Sequence, residues 1–172
     1  MTPPPISLRQ ITADTLPELQ ELYDASSEYF LRHSGQPARP EQAAINYSHV
    51  LDVGDRVLLG IWWEHDNLVG CFDLRFGHPS PDVVWFGALI LRDQLPAERT
   101  ELDTWSVRIL EEWLRIGTDI DEVRLALIVS DHQRVRFWSQ MGYTATRQSH
   151  RREIDGKRQR FVVYSKQIPR VV

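Results

Sequence analysis

Nine residues near the middle of the chain, Val83 to Leu91 (VVWFGALIL), are apolar almost without interruption. A strand with one wet face alternates apolar and polar side chains, so a run that is apolar at both parities needs cover on both faces. The run predicts the central strand of a sheet held between helices, and Gly87 within it marks a candidate bulge. The remaining segments have to supply flanking strands and two helical layers.

They do so in a readable order. Ile6 to Ile11 alternates apolar and polar residues and predicts a first strand after a proline-rich start, residues 1–5, that reads as a disordered tail. A helix follows, with Asp14 or Thr15 as its cap and Pro17 in its first turn. Leu16, Leu19, Leu22, Tyr23, Phe30 and Leu31 recur along it at helical spacing. His33 to Pro40 is a polar break, and Pro40 to Leu51 predicts a second, weaker helix. Arg56 to Trp63 and Leu68 to Phe76 read as strands joined around His65-Asp66-Asn67, hence an antiparallel pair.

Beyond the central run, Leu102, Trp105, Ile109, Trp113 and Ile116 form one apolar stripe on a helix from Thr100 to about Ile116. Val123 to Val129 predicts another buried strand, and Asp131 to Gln140 a helix that Gly142 terminates. Thr144 to Arg151 and Arg160 to Gln167 flank Asp155-Gly156, a hairpin turn signal. The order β-α-α-β-β-β-α-β-α-β-β gives an α/β class with a mixed central sheet and helices on both faces. At 172 residues it forms a single domain over residues 1–172.

Composition narrows the partners. A net charge of -4 provides no general attraction to nucleic acid or an anionic membrane, which leaves a small molecule or a peptide as the expected ligand. No apolar run reaches the ~20 residues of a spanning helix, and the start lacks the basic and apolar regions of a signal peptide. Together with a single cysteine, Cys71, this predicts a cytoplasmic protein without disulfides. Six scattered histidines show no metal-ligand spacing, so no metal site is expected. A homodimer is left open.

The segment Val123 to Tyr143 (VRLALIVSDHQRVRFWSQMGY) resembles the second conserved block of the GCN5-related N-acetyltransferases: a strand, an Asn-like position at Asp131, an aromatic pair at Phe137-Trp138, and a closing Gly142-Tyr143. The element order is also similar to that family's order. The resemblance implies a splay between the fourth and fifth strands and direct transfer of an acetyl group from acetyl-coenzyme A to a primary amine. It also implies that backbone groups of Leu89, Ile90 and Leu91 face the pantetheine arm.

One departure is large. Where the family's turn into the next helix carries Arg or Gln and two small residues that let backbone N–H groups close on the pyrophosphate, this chain reads Glu98-Arg99-Thr100-Glu101-Leu102-Asp103. Three carboxylates stand there. Arg99 is the local cation for phosphate. Thr100 and Asp103 also fit a self-capping helix start, with Asp103 reaching back.

Other residues carry two readings each. Asp73 is a base for the amine or a solvent-facing strand residue. Asp131 holds the cofactor or caps a helix, and Arg134 and Arg136 meet phosphate or face water. Trp138 stands where relatives carry the tyrosine that protonates the leaving thiolate; an indole N–H is no such acid, so it packs on the cofactor or in the core. Tyr143 is a substitute donor or a core aromatic. Glu28, Tyr29 and His33 lie where the family forms its acceptor pocket, or in a solvated loop. Cys71 reads as a buried hydrophobe. The arginines and lysine of the last hairpin (Arg147, Arg151, Arg152, Lys157, Arg158, Arg160) read as a surface for nucleic acid or an acidic partner, or as a charged, solvated edge. Two functions follow: an acetyltransferase, or a non-catalytic module of the same fold.

Overall fold

The computed structural model describes residues 4–95 and 101–170. The tail's residues 1–3 lie outside them. Pro5 is already tied down, its carbonyl accepting from Glu64 N–H at 2.9 Å. Strands β1 (Ile6–Gln10), β2 (Arg56–Trp63), β3 (Asn67–Phe76), β4 (Val83–Leu91), β5 (Glu122–Ile128), β6 (Thr144–Ile154) and β7 (Lys157–Gln167) form one seven-stranded sheet in the order β1-β2-β3-β4-β5-β7-β6. All neighbours are antiparallel except β4 and β5, which are parallel. The apolar run is the middle strand, as its composition requires.

Helices α1 (Leu16–Asp24), α2 (Ser27–Ser34) and α3 (Gln42–Val53) cover one face, and α4 (Leu102–Gly117) and α5 (His132–Gln140) the other. The first helical segment is therefore two helices, not one. Ser26 is fully buried at the break and its hydroxyl donates to the Leu22 carbonyl at 2.6 Å. The second half starts afresh because Asp93, 65 residues away, caps it: its carboxylate accepts from Glu28 N–H at 3.2 and 3.3 Å, while its own N–H donates to the Ala25 carbonyl at 2.9 Å. A cap from so far along the chain leaves no local signal.

The stripe on α4 is also rotated from the one read in the sequence. Leu102, Ser106, Val107, Leu110 and Leu114 are buried, whereas Trp113 is 43% and Ile116 68% exposed. Ser106 satisfies its hydroxyl on the Leu102 carbonyl at 2.6 Å and adds little bulk, so this face lies closest to the sheet. The tryptophans are left to cover the flank, Trp113 edge-on to Phe76 and Trp105 under Arg108.

Gly87 is a bulge. Asp73 pairs with Ala88 and Leu74 with Phe86, so Gly87 is the extra residue of β4. The insertion shifts the side-chain alternation by one: Val84 and Phe86 face the α4 side, and after the bulge Leu89 joins them while Ala88 and Ile90 face α1 and α3. At the far edge, Asp155 (φ 51°) and Gly156 (φ 71°) both take left-handed backbone, which turns β6 into β7. The hairpin is longer than the sequence suggests. Its basic residues Arg147, Arg151, Arg152, Lys157, Arg158 and Arg160 are exposed, and β6 is an outer strand of the sheet. No described helix is long and apolar enough to cross a membrane.

Candidate active site

The parallel pairing of β4 with β5 runs only from Val83/Glu122 to Phe86/Leu125. It stops at the bulge, and the two strands part over the remainder of β4. β4 stays paired with β3 out to Leu91 and β5 with β7 out to Ile128, so the sheet opens between these two pairs. The opening lies at the carboxyl ends of the two parallel strands, where an open α/β sheet binds its ligands.

Two connected spaces occupy it. An outer cleft of about 240 Å³ runs between α2 and α5, walled by Tyr29, Leu89, Leu91 and Phe137, with Arg32, Arg92 and Arg134 opposed by Glu28, Asp93 and Asp103. An inner cavity of about 40 Å³ lies between the parted strands. Tyr29, His33, Phe86, Trp138 and Phe161 close it, with Gly87 in its floor. That volume holds only a few waters. Tyr29, Leu89 and Arg134 line both spaces.

Of the residues singled out in the sequence, Leu89, Leu91 and Arg134 reach the cleft. The side chain of Ile90 is buried on the opposite face. Asp131 does both things read for its position in part. Its Oδ1 caps α5 by accepting from Arg134 N–H at 3.2 Å, and it lines the inner cavity, but its Oδ2 is taken by Arg32 Nε at 3.2 Å. Arg136 is exposed. Trp138 is 3% exposed, a core residue packed on Phe86 and Tyr143 that also walls the cavity. Arg99 and Thr100, with Glu98, lie outside the described residues.

Two candidates are held by other partners. Asp73 is half-buried and lines neither of the two spaces; Arg56 grips it, Nε to Oδ1 at 2.8 Å with a second contact from Nη2 to Oδ2. Tyr143 is 1% exposed and its hydroxyl donates to Glu111 Oε1 at 2.8 Å, while Lys166 Nζ donates to Oε2 at 2.7 Å. Burial first, and then the Glu111 carboxylate, push the Tyr143 phenol well above its ordinary range. Cys71, buried as read, has its thiol pushed up by burial as well.

At α4's start the described residues differ from a phosphate cradle. Glu101 sits in left-handed backbone at φ 64°, and Asp103 accepts from the next N–H, that of Thr104, at 2.7 Å; its reading as a partner of Thr100 lies outside the described residues. One donor of the first turn is thereby spent on a carboxylate.

Tyr29 and His33, which lie on helix α2 and not in a solvated loop, converge on the inner cavity. His33 Nδ1 lies 2.8 Å from the Tyr29 carbonyl, and the two rings stack with centroids 4.2 Å apart. A carbonyl only accepts, so Nδ1 carries the proton and Nε2 keeps its lone pair. Burial lowers the His33 pKa to about 4, with Arg134, Arg32 and Arg152 acting in the same direction, so the ring is neutral at pH 7. Burial raises Tyr29 to about 12. Their role was half visible in their position before the polar break. That α2 ends at Gly35 in left-handed backbone, with the hairpin tip at Asp155 packed against it, was not.

The similarity to solved structures is broad. An acetyltransferase from Thermus thermophilus superposes with a TM-score of 0.77 at 14% identity over 97% of this chain and 99% of that one. The chain has the fold of the GCN5-related N-acetyltransferases. A probable acetyltransferase of the GNAT family from Chromobacterium violaceum gives a TM-score of 0.75 at 14% identity over 94% and 82%. A spermidine N-acetyltransferase from Vibrio cholerae, in complex with CoA and spermine, gives 0.73 at 12% identity over 95% and 96%. No protein-family model matches the chain, and no curated protein matches it. The chain thus shares this topology with neighbours whose sequences are only 12 to 14% identical to it.

Proposed function

We propose that the protein is an acetyl-CoA-dependent N-acetyltransferase acting on the primary amine of a small molecule or peptide. The observation that carries this reading is the parting of β4 from β5 at Gly87, which opens a cleft whose Leu89, Leu91 and Phe137 wall suits an apolar pantetheine arm. The arm fits these residues; a pyrophosphate in the family's usual place fits the described start of α4 poorly, because Asp103 stands there with Thr104 N–H already engaged. Arg92, on the outer cleft, is a cation within the same space.

In this reading the chain works by positioning. Neutral His33 accepts a hydrogen bond from the amine through Nε2; with a pKa of about 4 it is too weak a base to strip an ammonium, so deprotonation falls to solvent. Tyr29, kept protonated by burial and lining both spaces, is the phenol that can donate to the departing thiolate. Tyr143 and Asp73 are occupied elsewhere. The amine of the Vibrio cholerae neighbour, a polyamine, is one acceptor class to test.

A second reading, a non-catalytic module, is favoured by one observation: an inner cavity of only about 40 Å³ filled by Tyr29, His33, Trp138 and Phe161. Calorimetric titration with acetyl-CoA separates the two. Binding together with thiol release in the presence of an amine supports the enzyme; no heat at roughly millimolar acetyl-CoA selects the module.

A further inference from the structure

Asp131 and Arg134 line the inner cavity, and beside it stand two further arginines, Arg32 of the outer cleft and Arg152 of β6. Arg32 is matched by Asp131 at 3.2 Å, but the Arg134 guanidinium has neither a hydrogen-bond nor an ion-pair partner among the described residues. Arg152 of β6 reaches the same corner, its Nη2 donating to the His33 carbonyl at 3.1 Å, and likewise has no carboxylate among the described residues. The carboxylates that balance the outer cleft, Glu28, Asp93 and Asp103, do not line the inner one. His33 adds no charge there.

From this arrangement we infer that the acceptor presents to the inner cavity an amine with a carboxylate beside it, its remainder lying in the outer cleft, an amino acid being the simplest case, with Arg134, which lines both spaces, holding the carboxylate and His33 facing the amine. A planar guanidinium pairs with a carboxylate through two parallel hydrogen bonds, and a partly buried one without a partner gains most from doing so. Burial, followed by the like charge of Arg32, disfavours the Arg134 cation, Asp131, Tyr29 and Asp103 offset this in part, and the charge of an incoming carboxylate adds to that offset. Polyamines carry the opposite charge pattern. A polyamine offers the Arg134 guanidinium no anion, and an ammonium placed beside it is repelled, with only the already engaged Asp131 in the inner cavity to offset it. The same oxyanion chemistry would be met by a phosphate of coenzyme A. The acceptor is the better source because Arg134 shares the inner cavity with His33, to whose carbonyl Arg152 donates.

This inference rests on the acetyltransferase reading for calling the amine an acceptor, and its test is independent of turnover. Calorimetry on the full chain, without acetyl-CoA, compares L-glutamate, L-alanine, putrescine and spermidine. The expected result is binding of the amino acids and none of the polyamines. Arg134→Gln should weaken amino-acid affinity by about tenfold or more, and Arg152→Gln by a smaller factor, while acetyl-CoA affinity falls by less than either. Thermal melts of both variants confirm that they fold, and Arg152→Gln, lying on an outer strand, keeps the test alive if Arg134→Gln does not. Polyamine binding in place of amino acids, absence of any amine binding, or an Arg134→Gln loss confined to acetyl-CoA overturns the inference. Amino-acid binding without thiol release in any mixture upholds the site and removes the enzyme reading instead.

Discussion

Arg32 Nε lies 3.2 Å from Asp131 Oδ2, a single ion pair that ties α2, on one face of the sheet, to the start of α5 on the other. The pair spans the mouth of the space between β4 and β5. Asp131 also caps α5, so its two oxygens serve two helices. Asp131→Ala should cost about 1 to 2 kcal/mol, most of it the lost cap, whereas Asp131→Asn, which can still cap, should cost less than about 1 kcal/mol. Urea denaturation of Arg32→Ala, Asp131→Ala and the double variant should give a coupling near ~0.5 kcal/mol, as befits a partly exposed pair; a coupling of zero would mean that the helices are held by packing alone.

His33 should make the protein acid-sensitive. Its pKa is lowered from 6.5 to about 4 in the folded state by burial, reinforced by Arg134, Arg32 and Arg152. Above pH 6.5 both states hold a neutral ring and there is no effect. As pH falls from 6.5 towards 4 the unfolded chain takes up a proton that the folded one refuses, so stability declines through that window and levels off below it. At roughly 1.4 kcal/mol per pKa unit, moderated by partial exposure, the loss is about 2 to 3 kcal/mol. Denaturant midpoints between about pH 4 and 7.5 should show this for the parent chain and a flatter profile for His33→Asn. Parallel profiles would assign the acid sensitivity to other groups.

What the sequence conveyed, and what it withheld, follows from the range of the interactions. The strands, the central position of Val83 to Leu91 and the bulge at Gly87 come from local alternation and a single glycine, so they were legible. The division of the first helix depends on Asp93 capping Glu28 across 65 positions, and no window of sequence contains that bond. The face of α4 was misread because two apolar stripes interleave along it. Hydrophobicity favours the tryptophans, but close approach favours Ser106 and the aliphatic side. The site suffered most, since Asp73 and Tyr143 look reactive until Arg56 and Glu111 are seen to hold them.

Gly87 offers a test of how open the inner cavity must be. A Cβ there would meet the Asp73 carbonyl oxygen at 3.3 Å and the Asp73 side chain at 3.5 Å, tight but not a collision. For Gly87→Ala the strain is offset by the entropy that a glycine loses on folding, so the net change should stay within about 1 kcal/mol. Gly87→Val adds two methyl groups against the same backbone and should cost about 2 kcal/mol. Because Gly87 lines the cavity, the valine should also weaken ligand binding there while the alanine largely preserves it. Equal binding by both would show that ligands use the outer cleft only.

Tyr143 separates an acid from a strut. Its hydroxyl donates to Glu111, which also receives Lys166, and Lys166 continues to the Met141 carbonyl at 2.8 Å, closing a bonded chain between α4, the end of α5 and β7. Tyr143→Phe removes one hydrogen bond to a charged group and should cost about 1.5 to 3 kcal/mol of stability. If the phenol only braces α4, thiol release from acetyl-CoA by the folded variant should stay within about twofold of the parent, and Tyr29→Phe should be the more damaging change. A fall of roughly a hundredfold or more in kcat for Tyr143→Phe, with its melting curve still cooperative, would make Tyr143 the proton donor. The phenol would then have to leave Glu111 during turnover.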